Sequence, residues 1–241
     1  MPKPVLPPHT PRPTGAPLPL AGIRVADFSH FIAGPFASMI LADMGAEVIK
    51  IEKVDGGDDF RKIQPLVADN QSAAFLWCNR GKRSIALDLR QAEGIAVARD
   101  IIAKSDILLE NFSAGVMEKF GLDYAKVSID NPMLIYCAVS AYGRSGPLKD
   151  RLGFDPVTQA ESGFMSMNGY PEHPGVRTSP SIMDCTTAMM TSNAILGALF
   201  ARARLGHGQY IENALFDSAV NMVGFHALNY SMYELALAYK S

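Results

Sequence analysis

Short runs of β-branched and aliphatic residues alternate with helix-compatible stretches along nearly the whole chain, and that alternation leaves few folds open. Ile23 to Phe28 (IRVADF), Glu47 to Ile51 (EVIKI), Ser84 to Leu89 (SIALDL), Asp106 to Leu109 (DILL), Leu134 to Val139 (LIYCAV) and Gln209 to Leu215 read as strands. Between the first two, Gly34-Pro35 opens a helix that runs to Met44, with proline where its missing N–H costs nothing, and Gly45 ends it. Gln91 to Lys104 carries Ile95, Ala98 and Ile102 on one helical face. Two longer apolar helices, about Met183 to Leu205 and Ser218 to Leu237, flank the last strand. Strands joined through helical crossovers run parallel, so the pattern predicts an α/β fold: a doubly wound, mostly parallel, six-stranded sheet flanked by helices. Ligands of such sheets lie at the carboxyl ends of the strands, which directs the search for chemistry to the loops after each strand.

Composition narrows the function classes. With 241 residues, 48% hydrophobic and 19% charged, the chain can bury a sizeable core and is not a disordered polymer. A formal net charge of −2, from 22 basic and 24 acidic residues, argues against a nucleic-acid partner. Cys78, Cys137 and Cys185 are too few and too scattered for a disulfide framework or a zinc site, which points to a reducing, cytoplasmic setting. Half of the 16 prolines fall between Pro2 and Pro19, so residues 1–19 read as an extended, mobile leader and 20–241 as the folded domain. The uncharged stretch Cys185 to Ala201 is shorter than the ~20 residues of a membrane span and reads as a buried core helix; no membrane partner is expected.

The commonest nucleotide and hydrolase motifs are missing. The loop after the first strand reads Ser29-His30-Phe31-Ile32-Ala33-Gly34-Pro35 and lacks the G-x-G-x-x-G of a dinucleotide site. Gly81-Lys82 lacks the upstream glycine of a P-loop, and Gly143-Arg144-Ser145-Gly146 is one residue short of a nucleophile elbow. Five scattered histidines give no metal-ligand spacing, so no metal and no prosthetic group is expected.

From Leu20 to about Tyr230 the chain resembles the family III coenzyme A transferases, which include formyl-CoA and carnitine CoA-transferases and the related α-methylacyl-CoA racemases. The matching segments are LAGIRVADFSHFIAGPFAS (Leu20 to Ser38), LADMGAEVIKIEKVDGGDDFR (Leu41 to Arg61), NRGKRSIALDLR (Asn79 to Arg90) and DILLENFSAGVMEKFGL (Asp106 to Leu122). AYGRSGP (Ala141 to Pro147), GFDPVTQAESG (Gly153 to Gly163) and GHGQYIENALFDS (Gly206 to Ser218) follow in the family's order. The resemblance implies a Rossmann-like domain that takes coenzyme A and acyl-CoA as substrates.

Coenzyme A presents an adenine, a 3′-phosphate, a pyrophosphate and a flexible pantetheine arm. Lys50, Lys53, Arg61, Lys62, Arg80, Lys82, Arg83 and Arg90 form a basic group that could meet its phosphates; the alternative for any one of them is a solvated basic face. By resemblance, the family's coenzyme A contacts fall on His30, Ile32 and Ala33 in the first loop and on Lys53 after the second strand. They continue at Leu87, Asp88, Leu89 and Arg90, at Asn111 and Phe112 after the fourth strand, at Lys119, and at Ser140, Ala141 and Tyr142 after the fifth. Lys53 and Lys119 replace arginines of the family and lose the bidentate fork, and Ile32 replaces a glutamine. Phe112 reads equally well as a core aromatic.

Moving coenzyme A between acids needs an enzyme carboxylate as covalent nucleophile. The transferases carry it as an aspartate in a Gly/Pro-rich loop, which matches Glu172 in Gly169-Tyr170-Pro171-Glu172-His173-Pro174-Gly175; the alternative is a solvated loop acid. Asp184, at the start of an apolar helix, matches a catalytic acid/base of the racemase branch, or serves as an acid favoured by the helix dipole. The racemase's partner histidine falls on Phe154, which cannot abstract a proton. The expected activity is therefore CoA transfer to a small carboxylic acid. The alternatives are an acyl-CoA racemase or isomerase and a non-catalytic coenzyme A-binding fragment or subunit. Relatives of this family continue into a smaller second domain and form interlocked dimers. The chain is expected to lack that domain and to act as a homodimer or with a complementing C-terminal half.

Overall fold

The structure, a computed structural model, describes residues 15–67, 70–170, 172–173 and 175–233. Residues 1–14 of the expected leader and 234–237 of the last expected helix lie outside the described residues.

Six strands form one sheet: β1 (Arg24–Asp27), β2 (Glu47–Glu52), β3 (Lys82–Ala86), β4 (Ile107–Glu110), β5 (Ile135–Ser140) and β6 (Gln209–Ala214). They lie in the order β3-β2-β1-β4-β5-β6, and every neighbouring pair is parallel. Val25 stands opposite both Val48 and Ile107, and Cys137 opposite Leu109 and Ile211. This is the doubly wound arrangement the alternating pattern predicts, with its strand order reversing between β1 and β4.

The helices are α1 (Ala33–Asp43), α2 (Ala73–Asn79), α3 (Ala92–Ala103), α4 (Val116–Phe120), α5 (Tyr124–Asp130), α6 (Asp155–Glu161), α7 (Ile182–Leu205), α8 (Leu215–Val223) and α9 (Phe225–Tyr233). Successive strand residues point to opposite faces. On one face, Val25, Leu109, Cys137 and Ile211 pack with Ala37 and Leu41 of α1 and with Ala188, Ile195 and Ala198 of α7. On the other, Ala26, Leu108 and Tyr136 meet Ala98 and Ile102 of α3, Met117 of α4 and Val127 of α5. Both faces of β4 are covered, and Ile107, Leu108 and Leu109 are all 0% exposed. Each such side chain contributes about 1.5–3 kcal/mol of burial, and truncating Leu108 to alanine would cost about 2–5 kcal/mol.

Small residues let α1 and α7 approach closely: the Ser192 hydroxyl reaches the Ala37 carbonyl at 3.3 Å. α7 lies where a buried helix is expected around Cys185 to Ala201, but it buries one face only. Thr187, Ala188, Thr191, Ser192, Ile195 and Ala198 are covered, whereas Met189 and Phe200 are exposed. Among the described residues no helix is long and apolar enough to cross a membrane. Most boundaries shift by one residue, and two elements start two or three residues earlier than expected. β3 runs Lys82–Ala86 rather than Ser84 to Leu89, because Lys82 and Arg83 already pair with Val48 and Ile49 of β2 and the register ends at Ala86 opposite Glu52. The last expected helix begins at Leu215 and is divided into α8 and α9 at Gly224.

Candidate functional site

The crevice between β1 and β4 is where a doubly wound sheet opens to a ligand. The last ladder contact there is the Phe28 N–H donated to the Leu109 carbonyl at 2.8 Å. Beyond it the chain turns through Ser29-His30-Phe31, and Phe31 has φ 62°, in the left-handed region a bulky residue rarely adopts. Four side chains from different elements hold this turn. Asp27 accepts the Ser29 N–H at 2.9 Å as well as its hydroxyl. Lys50 donates to the Ser29 carbonyl at 2.6 Å. Asn111 accepts from the His30 N–H and donates to the His30 carbonyl, both at 2.8 Å. Asp58 accepts the Phe31 N–H at 3.3 Å. Gly34 admits the turn, since a Cβ there would lie 2.2 Å from that of Ser29.

Under the turn lies a buried ionic network. Lys82 reaches Asp27 at 3.0 Å, and Lys50 reaches Asp58 at 3.0 Å, with every side chain of both pairs at most 2% exposed. Burial pushes the Asp27 carboxyl up, but the charges of Lys82 and Lys50 and the hydroxyls of Ser29 and Ser38 outweigh it and hold it well below the usual range. Burial likewise pushes Glu52 up. Hydrogen bonds from Arg61, Ser84 and the Asp58 N–H overcome this and bring it down to about 2.

The basic group therefore does not present a free cationic face. Arg61 pairs with Glu52, Arg80 with Asp43, Arg83 with Glu47, and Lys62 with Asp59. Lys50 and Lys82 are structural. Lys53, on Asp59 at 2.8 Å, and Arg90, on Asp88 at 2.8 Å, like Lys62, Arg80 and Arg83, are in pairs half-exposed or more on the cation's side. Exposed pairs of this kind are worth only about 0–1 kcal/mol, so an arriving phosphate can displace them.

A cavity of about 390 Å³ opens at the carboxyl ends of β1 to β4. Phe28, Leu87, Leu89, Phe112, Val116 and Phe120 give it an apolar lining, and Lys53, Asp55, Asp59, Asp88 and Arg90 add charged groups. His30 lines it too, with its ring 5.4 Å from that of Phe112. Burial lowers the His30 pKa; the carboxylates of Asp58 and Asp59 work against this, and Lys50 and Lys53 assist it. A flat apolar group held between the aliphatic and aromatic walls, with an anion at the Lys53 and Arg90 rim, matches this lining.

The residues singled out by resemblance do not all meet here. His30, Lys53, Leu87, Asp88, Leu89, Arg90 and Phe112 line the cavity, and Asn111 is bound to His30 beside it. Ile32 packs toward Phe60, Phe75 and Cys78, Ala33 is the buried first residue of α1, and Lys119 is exposed on α4. Ser140, Ala141 and Tyr142 lie at the end of β5. There the Ser140 hydroxyl accepts the Gly143 N–H at 2.9 Å, and Tyr142 donates to Glu161 at 2.5 Å. Sequence reasoning missed Asp58 as a member of the cavity wall, though its Asx-type bond to the Phe60 N–H, at 3.0 Å, is a local signal a D-x-F spacing carries.

The two candidate acids sit near a further network around α6. Asp155, 2% exposed, accepts from Gln159 at 2.6 Å and from the Met183 N–H at 2.7 Å, and so satisfies the start of α7. Gln159 accepts the Thr178 N–H at 3.0 Å. Asp184 follows Met183, and burial, reinforced by the charge of Asp155, raises its carboxyl to about 7. Glu172 is exposed, within a loop closed at its base by the Val176 N–H on the Asn168 carbonyl at 2.9 Å. Gly175 is required at that closure, because a Cβ would lie 2.0 Å from the Met165 carbonyl oxygen. Glu172 lines neither of the cavities described.

A second cavity, of about 600 Å³, lies beside β5 and β6 among Tyr124, Tyr136, Tyr210, Glu110 and Arg144. It is the larger of the two, but none of the expected contacts lines it. Its guanidinium is already committed to Glu110 at 2.9 and 3.0 Å and to the Phe112 carbonyl at 2.7 Å.

Known proteins share both sequence and fold with this chain. A family model described as CoA-transferase family III matches residues 20–238. A succinate–glutarate CoA-transferase of Agrobacterium fabrum is 40% identical over 218 residues, spanning 88% of this chain and 54% of that protein. A succinyl-CoA–L-malate CoA-transferase alpha subunit of Chloroflexus aurantiacus is 38% identical over 219 residues, spanning 90% and 51%. The crystal structure of a CAIB/BAIF family protein from Brucella suis superposes with a TM-score of 0.89 at 36% identity, covering 92% of this chain and 60% of that one. The chain spans about half the length of the curated relatives it matches. With the match running from the segment before β1 past the end of α9, the chain belongs to CoA-transferase family III.

Proposed function

We propose that this chain binds coenzyme A at the β1–β4 crevice and serves CoA transfer from an acyl-CoA donor to a small carboxylic acid. The carrying observation is the cavity at the strand ends, where His30, Lys53, Leu87 to Arg90 and Phe112 converge in a member of this family. In the proposed reaction a Glu172 carboxylate oxygen attacks the donor thioester carbonyl, giving a mixed anhydride and releasing CoA thiolate. The thiolate then attacks the Glu172 acyl carbon, which frees the donor acid and leaves an enzyme–CoA thioester. The acceptor acid resolves that thioester through a second anhydride. The exposed position of Glu172 lets an incoming thioester reach it.

The alpha-subunit relative supports action within a complex. In the proposed function that complex is a homodimer or a pairing with a polypeptide that supplies the other half of the relatives' length. An acyl-CoA racemase or isomerase gains support from Asp184, whose carboxyl near 7 suits proton transfer, but the place of its partner base holds Phe154. Intact-mass analysis after incubation with acyl-CoA donors tests the transfer reading. A CoA adduct on the peptide containing Glu172 is expected. Proton exchange next to the thioester without any adduct would favour the racemase. Binding with neither would leave a coenzyme A-binding subunit.

A further inference from the structure

The turn after β1 is held more firmly than its place at an open crevice demands. β1 and β4 part company after Phe28, so the His30 N–H and carbonyl face the gap between two diverging strands. There the Asn111 side chain makes the paired contact a neighbouring strand would make, accepting at one end and donating at the other, both at 2.8 Å. Water could satisfy these half-buried groups equally well, but it would not fix the direction of the His30 side chain. The flanks are tied as well: Ser29 by Asp27 and Lys50, and the left-handed Phe31 by Asp58. Left-handed backbone at a bulky residue persists only where its surroundings over-determine it.

We propose that Asn111 is a positioning residue that acts through His30. With Asp27, Lys50 and Asp58 holding the flanks, it fixes the turn so that the imidazole forms part of the wall against which an acyl-CoA lies. This rests on the coenzyme A reading of the cavity. It differs from a direct contact in that the Asn111 amide engages the His30 backbone at both ends, one bond accepted and one donated. The charged groups facing the imidazole are Asp58 and Asp59, with Lys50 and Lys53 opposing them.

The test is a double-mutant cycle on the full chain, read by calorimetry with coenzyme A: wild type, His30→Ala, Asn111→Ala and the pair. If Asn111 acts through His30, each single variant weakens binding about tenfold and the double is no weaker than His30→Ala alone. Losses that multiply to about a hundredfold, or an Asn111→Ala variant that binds normally, overturn the proposal. A second readout needs no ligand. By NMR the wild-type His30 imidazole should titrate below the ordinary histidine range, because it is buried, and should move back toward that range in Asn111→Ala if the ring is released to solvent. Asn111→Ser, which adds no charge beside the imidazole and is too short to make both contacts, should shift it in the same direction and substitutes if the alanine variant does not fold. An imidazole unmoved by either change also overturns the proposal. A wild type that binds no coenzyme A, while its imidazole responds as described, counts against the ligand reading and leaves the positioning role standing.

Discussion

The buried carboxylate of Asp155 accepts the backbone N–H of Asp184 at 3.4 Å, so one acid anchors the start of α7 and places its charge beside the next acid. Asp155 has the Met183 N–H and the Gln159 amide as firmer partners, whereas burial and that neighbouring charge raise the Asp184 carboxyl to about 7. A carboxyl in this state exchanges a proton at neutral pH, which is a different service from that of an anionic nucleophile. The two candidate acids thus differ in setting: Asp184 stands at a helix start beside a buried carboxylate, and Glu172 is an exposed loop residue.

Asp184→Asn should change how stability depends on pH. Because the folded pKa is raised, the wild-type group contributes fully below the unfolded value near 4, and that contribution is lost as pH rises through about 7. The substitution removes this dependence and should stabilise the protein at pH 8 by up to about 4 kcal/mol. Urea unfolding at pH 5 and pH 8 checks it; a wild type equally stable at both, with the variant parallel to it, would contradict the raised carboxyl.

Glu172→Gln keeps size and hydrogen bonding but removes the anion. In a complex competent for transfer, activity should fall by orders of magnitude while coenzyme A affinity stays near that of the wild type, since Glu172 does not line the cavity. Glu172→Asp should retain activity, as aspartate is the residue the family's transferases carry. Adduct formation on Asp184 instead, detected by peptide mapping, would reassign the nucleophile.

The Asp27–Lys82 pair should behave as a buried couple. Lys82→Met leaves Asp27, which is 0% exposed, without its cation and should cost about 3–5 kcal/mol. Asp27→Asn with Lys82→Met should cost clearly less than the sum of the single changes. Since the Asp27 carboxyl is held below its usual range, its contribution is present above the unfolded value near 4 and is lost as pH falls further into acid. Additive losses in urea unfolding would show that the two residues do not depend on one another.

The sheet was legible because its strands are short β-branched runs with turn residues at both ends, and a helical crossover allows them only one relative direction. The partners of charged residues were not legible. Lys50 and Lys82 read in sequence like Lys53 and Arg90, yet they are drawn inside by Asp58 and Asp27, each dozens of residues away or across a loop. Nor could spacing reveal that the Asn111 side chain would be spent on the His30 backbone, because that contact spans 81 positions. Short α2, α4, α5 and α6 carry too few turns for a periodic signal. Gly224 cuts an apolar run that otherwise reads as one continuous helix.

Coenzyme A should bind more tightly than dephospho-CoA, and the difference should depend on Lys53 and Arg90. These two are the lysine and arginine of the cavity that remain in exposed pairs; Lys50, the other cation lining it, is 1% exposed and committed to Asp58. Releasing Lys53 from Asp59 and Arg90 from Asp88 costs little, whereas each charge-assisted bond to a phosphate is worth about 1.5–3 kcal/mol. Asp55, Asp59 and Asp88 around the same rim oppose the anion, so the net preference should be modest, about tenfold, and should shrink as salt is added. The double variant Lys53→Ala/Arg90→Ala should bind both ligands alike. Asp55→Asn, which removes a rim charge paired only distantly with Arg90 at 3.9 Å, should improve coenzyme A affinity in the wild-type background. Calorimetry at two salt concentrations separates these effects, and equal affinity of the unaltered protein for the two ligands would rule out a phosphate contact at this rim.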